Sequence, residues 1–123
     1  FIDGNAEQLG KTIMSLLNNG MYAIAKKYGK KAYPAEIGLA LESKDGQAVI
    51  RLYDNGVGIE QSILDKIFDP FFTTKTTGEA AGIGLYLSKE IILNHHGQIA
   101  VRSEKDELTE FTITLPLWEE KSV

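Results

Sequence analysis

Apolar residues recur at intervals of three and four through the first quarter of the chain. This spacing is typical of an amphipathic helix that buries one face. Asn5 followed by Gln8 resembles a capping box and predicts a helix start near Ala6, while Tyr28-Gly29 predicts its end. The apolar positions are Leu9, Ile13, Leu16, Leu17, Met21 and Ile24.

Alternating patterns later in the chain predict two β-hairpins. Residues 37–41 and 48–53 alternate apolar with small or polar side chains around the turn Lys44-Asp45-Gly46. Residues 98–103 and 110–115 form a second pair around Lys105-Asp106-Glu107. Both pairs therefore read as antiparallel strands joined by short turns.

Two further helices are predicted between the hairpins. A short helix covers 61–67 and stops at Asp69-Pro70, and a long one covers 82–96 and is closed by Gly97. An irregular polar loop, 71–81, separates them. The predicted fold class is α/β (α+β): a two-layer sandwich whose mixed, mostly antiparallel sheet is covered on one face by helices.

Composition narrows the function. The chain has 123 residues, which suits a single domain over 1–123, and its first residue, Phe1, suggests a fragment of a longer protein. A net charge of −4 argues against nucleic-acid binding. The absence of cysteine excludes disulfides and fits the cytoplasm. No apolar run is long enough for a membrane span, so we expect no membrane contact by this fragment, although the parent protein could be anchored.

The first candidate site is Asp54-x-Gly56-x-Gly58, directly after a predicted strand. A carboxylate there can accept a hydrogen bond from an exocyclic amine such as that of adenine. The two glycines would let the backbone approach a flat ring and adopt positive φ. The alternative is an ordinary Asp-Asn-Gly hairpin turn. A helix rather than a paired strand follows, which weakens that alternative.

The second candidate is Asn19. At 100° per residue it shares a helix flank with Ser15, Tyr22 and Lys26. An asparagine carbonyl suits magnesium, which takes few protein ligands, and a lysine on that flank could reach phosphate. An ordinary polar flank of an amphipathic helix is the simpler interpretation.

The third candidate combines a polar loop with a helix start. Gly82-x-Gly84 would open the second long helix, whose N-terminal amides favour anions. Glycines that only allow close helix packing are the alternative. Upstream, Lys75 follows an aromatic, proline-containing corner in a loop that could close over a ligand.

Taken in this order, the motifs resemble those of the ATP-binding catalytic domain of sensor histidine kinases, which has the Bergerat or GHKL fold. The resemblance covers 5–116. LLNNGMYAI is similar to the N box, DNGVGI to the first glycine box, IFDPFFTTK to the F box, GIGLYLSKEII to the second glycine box, and TEFTITLP to the last strand.

The resemblance implies ATP and Mg2+ as cofactors. Asp54 with Gly56 and Gly58 would bind adenine, and Asn19 would hold the metal. The phosphates would meet a set of residues from the lid, the helix and the second glycine box: Lys26, Lys75, Gly82, Gly84 and Leu85. No catalytic side chain is implied. The γ-phosphoryl would pass to a histidine on the protein's own dimerisation and phosphoacceptor domain, and from there to a response regulator receiver domain.

Some positions depart from the family pattern. Ser15 stands where the ATPase relatives carry a general-base Glu, which argues against an ATP-driven clamp. Ala80 stands where a glycine is expected, and Glu79 adds negative charge near the expected phosphates. These two substitutions keep open the alternative of a degenerate module that binds nucleotide weakly or not at all and acts through protein contacts. His95-His96 end the second long helix, a position that fits a structural use better than a phosphoacceptor.

Overall fold

A computed structural model describes residues 6–29, 35–69 and 83–116. The helices and strands follow the predicted order. They are α1 (Ala6–Tyr28), β1 (Ile37–Lys44), β2 (Gln47–Asp54), a 3-10 helix (Gln61–Lys66), α2 (Ile83–Asn94), β3 (Gln98–Glu104) and β4 (Leu108–Pro116). The proposed cap at Asn5 and the polar loop 71–81 lie outside the described residues.

The four strands form one sheet in the order β1-β2-β4-β3, with α1 and α2 packed against it. This confirms the predicted architecture. All three pairings between described strands are antiparallel. The described part of the sheet is therefore fully antiparallel, whereas a mixed, mostly antiparallel sheet was expected. The reason is that β4 lies between β2 and β3, the two strands that run in the same direction.

The core lies between the helices and the inner strands. Every second residue of β2 and β4 is buried and the residues between them are half-buried, apart from the exposed Gln47, as expected of strands with one face on a core. α1 contributes Leu16 and α2 contributes Ile92, which are 2% and 1% exposed. The remaining buried core side chains are Ile50, Leu52, Ile67, Phe111, Ile113 and Leu115.

Local backbone geometry explains the turns. Asp45 and Gly46 both have positive φ, 52° and 76°, as a two-residue hairpin of the primed type requires. α2 ends in a Schellman motif, in which the Gly97 amide donates to Ile92 and the His96 amide to Leu93. The left-handed residue there is His96, with φ 63°, and not Gly97 as predicted.

Gly97 is needed for a different reason. A Cβ at this position would lie 2.5 Å from the Thr114 carbonyl oxygen, so the start of β3 approaches β4 too closely for any side chain.

None of the helices within the described ranges is both long and apolar enough to cross a membrane.

The packing predicts a contrast between two leucines of the same sheet. Leu115 is 1% exposed in β4, whereas Leu41 is 71% exposed in the edge strand β1. Leu115→Ala should lower the free energy of unfolding by about 2–5 kcal/mol, because it leaves a cavity in the core. Leu41→Ala should change it by less than about 0.5 kcal/mol. Urea unfolding followed by circular dichroism measures both, and equal losses would contradict the described core.

Candidate functional site

A row of facing residues crosses one end of the sheet. Ile37 pairs with Asp54, Asp54 pairs with Thr109, and Thr109 pairs with Ser103. Directly paired residues of antiparallel strands project from the same face. Three neighbouring strands therefore present a carboxyl group and two hydroxyl groups on one face, at the end of the sheet where β2 stops.

Asp54 is the charged member of this row and is 5% exposed. Its Oδ1 accepts a hydrogen bond of 2.9 Å from the Gly56 amide. Burial raises the pKa of Asp54 above the ordinary carboxyl value, and the Gly56 hydrogen bond opposes part of that rise. A buried carboxyl group whose pKa is raised by burial is a candidate for a functional residue.

α1 crosses this carboxyl group at a glycine. A Cβ on Gly20 would lie 3.3 Å from Asp54 Oδ2 and 2.9 Å from the Ile37 Cδ1 atom. Gly20 therefore keeps the helix close to the carboxylate without placing a side chain on it. Among the described residues, the Gly56 amide is the one donor to Asp54, so Oδ2 can accept from a ligand.

The two glycines after Asp54 differ in what they provide. The expectation of positive φ is right for Gly58, whose φ is 70°. It is wrong for Gly56, whose φ is not positive. Their shared property is close contact with protein backbone. A Cβ on Gly56 would lie 2.6 Å from the Ala23 carbonyl carbon, and one on Gly58 would overlap the Glu104 carbonyl oxygen. The loop is thus wedged between α1 and β3, and the hairpin alternative is wrong because β2 pairs with β1 and β4, not with the residues after Gly56.

Ser103 joins the loop to the sheet. Its buried hydroxyl donates to the Leu108 carbonyl at 2.6 Å and accepts from the Ile59 amide at 2.7 Å. It also lies 2.9 Å from the Thr109 hydroxyl. Since the single Ser103 proton is directed at Leu108, Thr109 must be the donor of that third bond. Sequence reasoning missed Ser103. The signal that could have identified it is a serine on the strand face that otherwise carries the apolar residues Ile99 and Val101.

The end of α1 also holds the loop. The Asn55 carbonyl accepts from the Tyr28 hydroxyl at 3.1 Å and from Lys27 Nζ at 3.3 Å. The Asn55 side chain accepts from the Glu36 amide at 2.7 Å. Sequence reasoning missed Tyr28 and Lys27 as groups that hold the loop, because it used Tyr28 only to predict the end of the helix.

The other predicted site residues lie on α1, in the first turn of α2 or outside the described residues. On α1, Ser15, Asn19 and Tyr22 are half-buried and Lys26 is exposed, as expected of a helix flank. Leu85 in the first turn of α2 is half-buried and packs against the core. Gly84 lies in that same turn, within the bounds of α2. Lys75 and Gly82 lie outside the described residues. The part played by each in binding stays a prediction.

A metal ion at this site would have few protein ligands among the described residues. The described residues contain no group of three or more His, Cys, Asp or Glu side chains that could hold an ion. Asn19 immediately precedes Gly20, which places an amide one residue from the helix position that contacts Asp54. A single oxygen ligand is compatible with Mg2+, which keeps several waters and is bound largely by substrate phosphates.

Residues 4–119 match the family described as histidine kinase-, DNA gyrase B- and HSP90-like ATPase, and the chain belongs to this family. Among its relatives, the signal transduction histidine-protein kinase AtoS of Escherichia coli K12 is 39% identical over 116 residues, which are 94% of this chain and 18% of AtoS. Sporulation kinase D of Bacillus subtilis is 35% identical over 111 residues, 90% of this chain and 20% of that kinase. The chain therefore spans about a fifth of these relatives.

Solved structures of the same class share the fold. The catalytic domain of the histidine kinase ThkA matches with a TM-score of 0.73 and 25% identity, covering 92% of this chain and 68% of that one. The mycobacterial sensor histidine kinase MprB matches with a TM-score of 0.74 and 26% identity, covering 92% and 72%. Both support the resemblance drawn from the motifs.

The wedged loop predicts that residue 56 tolerates no side chain. Gly56→Ala should lower the free energy of unfolding by about 2 kcal/mol, because the new methyl group meets the backbone of α1, which cannot move aside. In the matched variant Gly20→Ala, the new methyl group meets only side-chain atoms, the movable end of Ile37 and Asp54 Oδ2, and the helix gains propensity of about 1 kcal/mol. This variant should therefore be near neutral. Urea unfolding of both variants checks the prediction, which would fail if Gly56→Ala were the milder change.

Burial of Asp54 predicts that the free energy of unfolding of the ligand-free protein depends on pH. A folded-state pKa above the unfolded value means that the folded chain binds the proton more tightly. Stability contributed by protonated Asp54 is then present below the unfolded pKa and is lost as pH rises through the folded pKa. Asp54→Asn keeps a carbonyl acceptor for Gly56 and removes this titration. The free energy of unfolding of the variant, measured relative to that of the wild type, should increase from about pH 4 to pH 7. A difference independent of pH, in urea titrations at both values, would contradict it.

Proposed function

We propose that the chain binds Mg-ATP and donates the γ-phosphoryl group to a histidine on a separate dimerisation and phosphoacceptor domain in two-component signalling. The observation that supports this most directly is the buried carboxyl group of Asp54, held on one side by Gly56 and facing the bare backbone of Gly20 on the other. A buried acceptor without a side-chain cation selects a neutral donor, and the exocyclic amine of adenine is such a donor.

The same carboxylate accounts for selection between purines. Adenine carries an amine at the position where guanine carries a carbonyl oxygen. An acceptor of Asp54 facing that oxygen would leave two buried acceptors without a proton between them, which is costly. ATP should therefore bind better than GTP.

The phosphate end of the site rests on the family resemblance. Asn19 would ligate the magnesium ion, which neutralises phosphate charge when bound. Lys26 and Lys75 would supply cations, and Gly82 together with the N-terminal turn of α2, which contains Gly84 and Leu85, would supply backbone donors. Phosphoryl transfer of this kind depends mainly on positioning and charge stabilisation, so this domain needs no nucleophile of its own.

The histidines of this chain are poor candidates for the acceptor. His95 is 7% exposed, and its Nδ1 atom lies 2.7 Å from the Ile91 carbonyl oxygen within α2. His96 occupies the left-handed position that ends the helix. Both therefore have structural uses in the helix terminus, which supports an acceptor histidine on another domain, with a receiver domain as the indirect recipient.

A second candidate function is a degenerate kinase-like module that binds nucleotide weakly or not at all and acts through protein contacts. Glu79 and Ala80 favour it, because Glu79 adds a negative charge near the expected phosphates and Ala80 adds a Cβ where the family pattern has glycine. Both residues lie outside the described part of the chain, so nucleotide binding has to be measured directly.

Asp54→Asn should abolish binding of ADP, because the amide can present a donor to the adenine amine in place of an acceptor and carries no charge. The loss should be at least about a hundredfold in Kd, as expected for a buried, charge-assisted hydrogen bond. Isothermal titration with ADP and then ATP, with and without Mg2+ and with GTP as the control, measures it. The free variant should remain folded by circular dichroism.

The matched control is Asp45→Asn in the β1–β2 turn, which removes the same charge far from Asp54 along the strands. It should bind ADP as the wild type does. Equal affinity of Asp54→Asn and the wild type would remove Asp54 from the site. A well-folded wild type that binds neither nucleotide would favour the second candidate function.

A further inference from the structure

One peptide unit connects Asp54 to the end of α1. The oxygen of the Asn55–Gly56 peptide accepts from Tyr28 and Lys27, and the amide of the same unit donates to Asp54 Oδ1. A peptide unit is planar and rigid. Any rotation that releases the oxygen from Tyr28 and Lys27 therefore also turns the Gly56 amide away from the carboxylate.

Lys27 reaches a second element as well. Its Nζ atom donates to the Asp106 carbonyl in the β3–β4 turn. The Asp106 amide donates in turn to the Val57 carbonyl. The same ammonium thus joins α1, the loop after Asp54 and the turn between the last two described strands. The Lys27 Nζ atom also lies 5.3 Å from the centre of the Tyr28 ring, which keeps the two side chains together.

We propose that Lys27 and Tyr28 are positioning residues for the adenine site: they hold the Asn55–Gly56 peptide so that the Gly56 amide fixes the Asp54 carboxyl group in its binding orientation. The effect on affinity rests on the proposed nucleotide function, whereas the effect on the loop does not. A carboxylate fixed before binding loses less freedom when the ligand arrives, so its affinity is higher.

These two side chains are not needed to keep the loop attached to the fold. The Val57 amide donates to Ala23, and the Ile59 amide donates to Ser103. The Asn55 amide and side chain both pair with Glu36. Loss of the Tyr28 hydroxyl or the exposed Lys27 ammonium should therefore free one peptide unit without unfolding the protein.

The test uses the full 123-residue chain and a double variant, Lys27→Met with Tyr28→Phe, which keeps the apolar parts of both side chains. Hydrogen exchange measured by NMR reports on the Gly56 amide in the free protein, and calorimetry gives the Kd for ADP. In the double variant the Gly56 amide should exchange about tenfold faster and ADP should bind about fivefold more weakly, while amides of the β2–β4 ladder keep their protection.

Two further variants make the result specific. Lys27→Arg keeps a cation that can reach both carbonyl groups, and with Tyr28 intact it should restore wild-type exchange at Gly56 and wild-type affinity. Lys11→Met removes an equal charge from an exposed site on the same helix, where Lys11 pairs with Glu7, and should change neither measurement.

Unchanged Gly56 exchange in the double variant would overturn the proposal, and so would faster exchange with unchanged ADP affinity. Loss of protection throughout the β2–β4 ladder would also overturn it, because the two residues would then act on global stability. A wild type that binds no ADP would refute the proposed function, and the Gly56 exchange rates would still decide whether Lys27 and Tyr28 hold the loop.

Discussion

The candidate site depends on a contact between two stretches of backbone. Residue 56 approaches α1 at Ala23 so closely that a Cβ would lie 2.6 Å from the carbonyl carbon. This contact places the loop after β2 against the last turns of the helix. It brings the Asn55 carbonyl within reach of Tyr28 and Lys27, and it directs the Gly56 amide at Asp54. With any larger residue at position 56, these contacts would have to change together.

The polar row at the end of the sheet shows how the fold supports a site at some cost in stability. Asp54, Thr109 and Ser103 occupy inward positions of strands whose other inward residues are apolar. Ser103 and Thr109 satisfy one another and the neighbouring backbone. Asp54 is compensated less, and its pKa rises as a result. Protein sites commonly show this combination of a satisfied frame and one imperfectly satisfied group.

Local patterns predicted the elements well and their arrangement less well. The apolar stripe fixed α1, and Asp45-Gly46 fixed the first hairpin, because both signals depend on neighbours in the chain. The place of β4 between β2 and β3 has no local signal, so the described sheet is antiparallel where a mixed one was expected. Position 97 was correctly predicted to end the helix region, but His96 takes the left-handed conformation and Gly97 serves a contact with β4.

For the site, the motifs identified Asp54 and its glycines, but the groups that hold them could not be predicted. Tyr28 and Ser103 reach the loop from positions 27 and 44 residues away, and such contacts exist only in the folded chain. The close approach of Gly56 to the Ala23 backbone could not be predicted either, and the approach of a ligand ring to Gly56 stays a prediction.

The sheet order has a consequence for how the chain is made. β4 is the last described strand to leave the ribosome, yet it is the one that pairs with both β2 and β3 and carries three of the buried core residues. Until Pro116 has emerged from the exit tunnel, β3 has no partner strand and the β1–β2 hairpin has no strand that connects it to β3. Folding during synthesis should therefore be delayed until the end of this region, and a nascent chain stalled before β4 would expose apolar surface that chaperones bind.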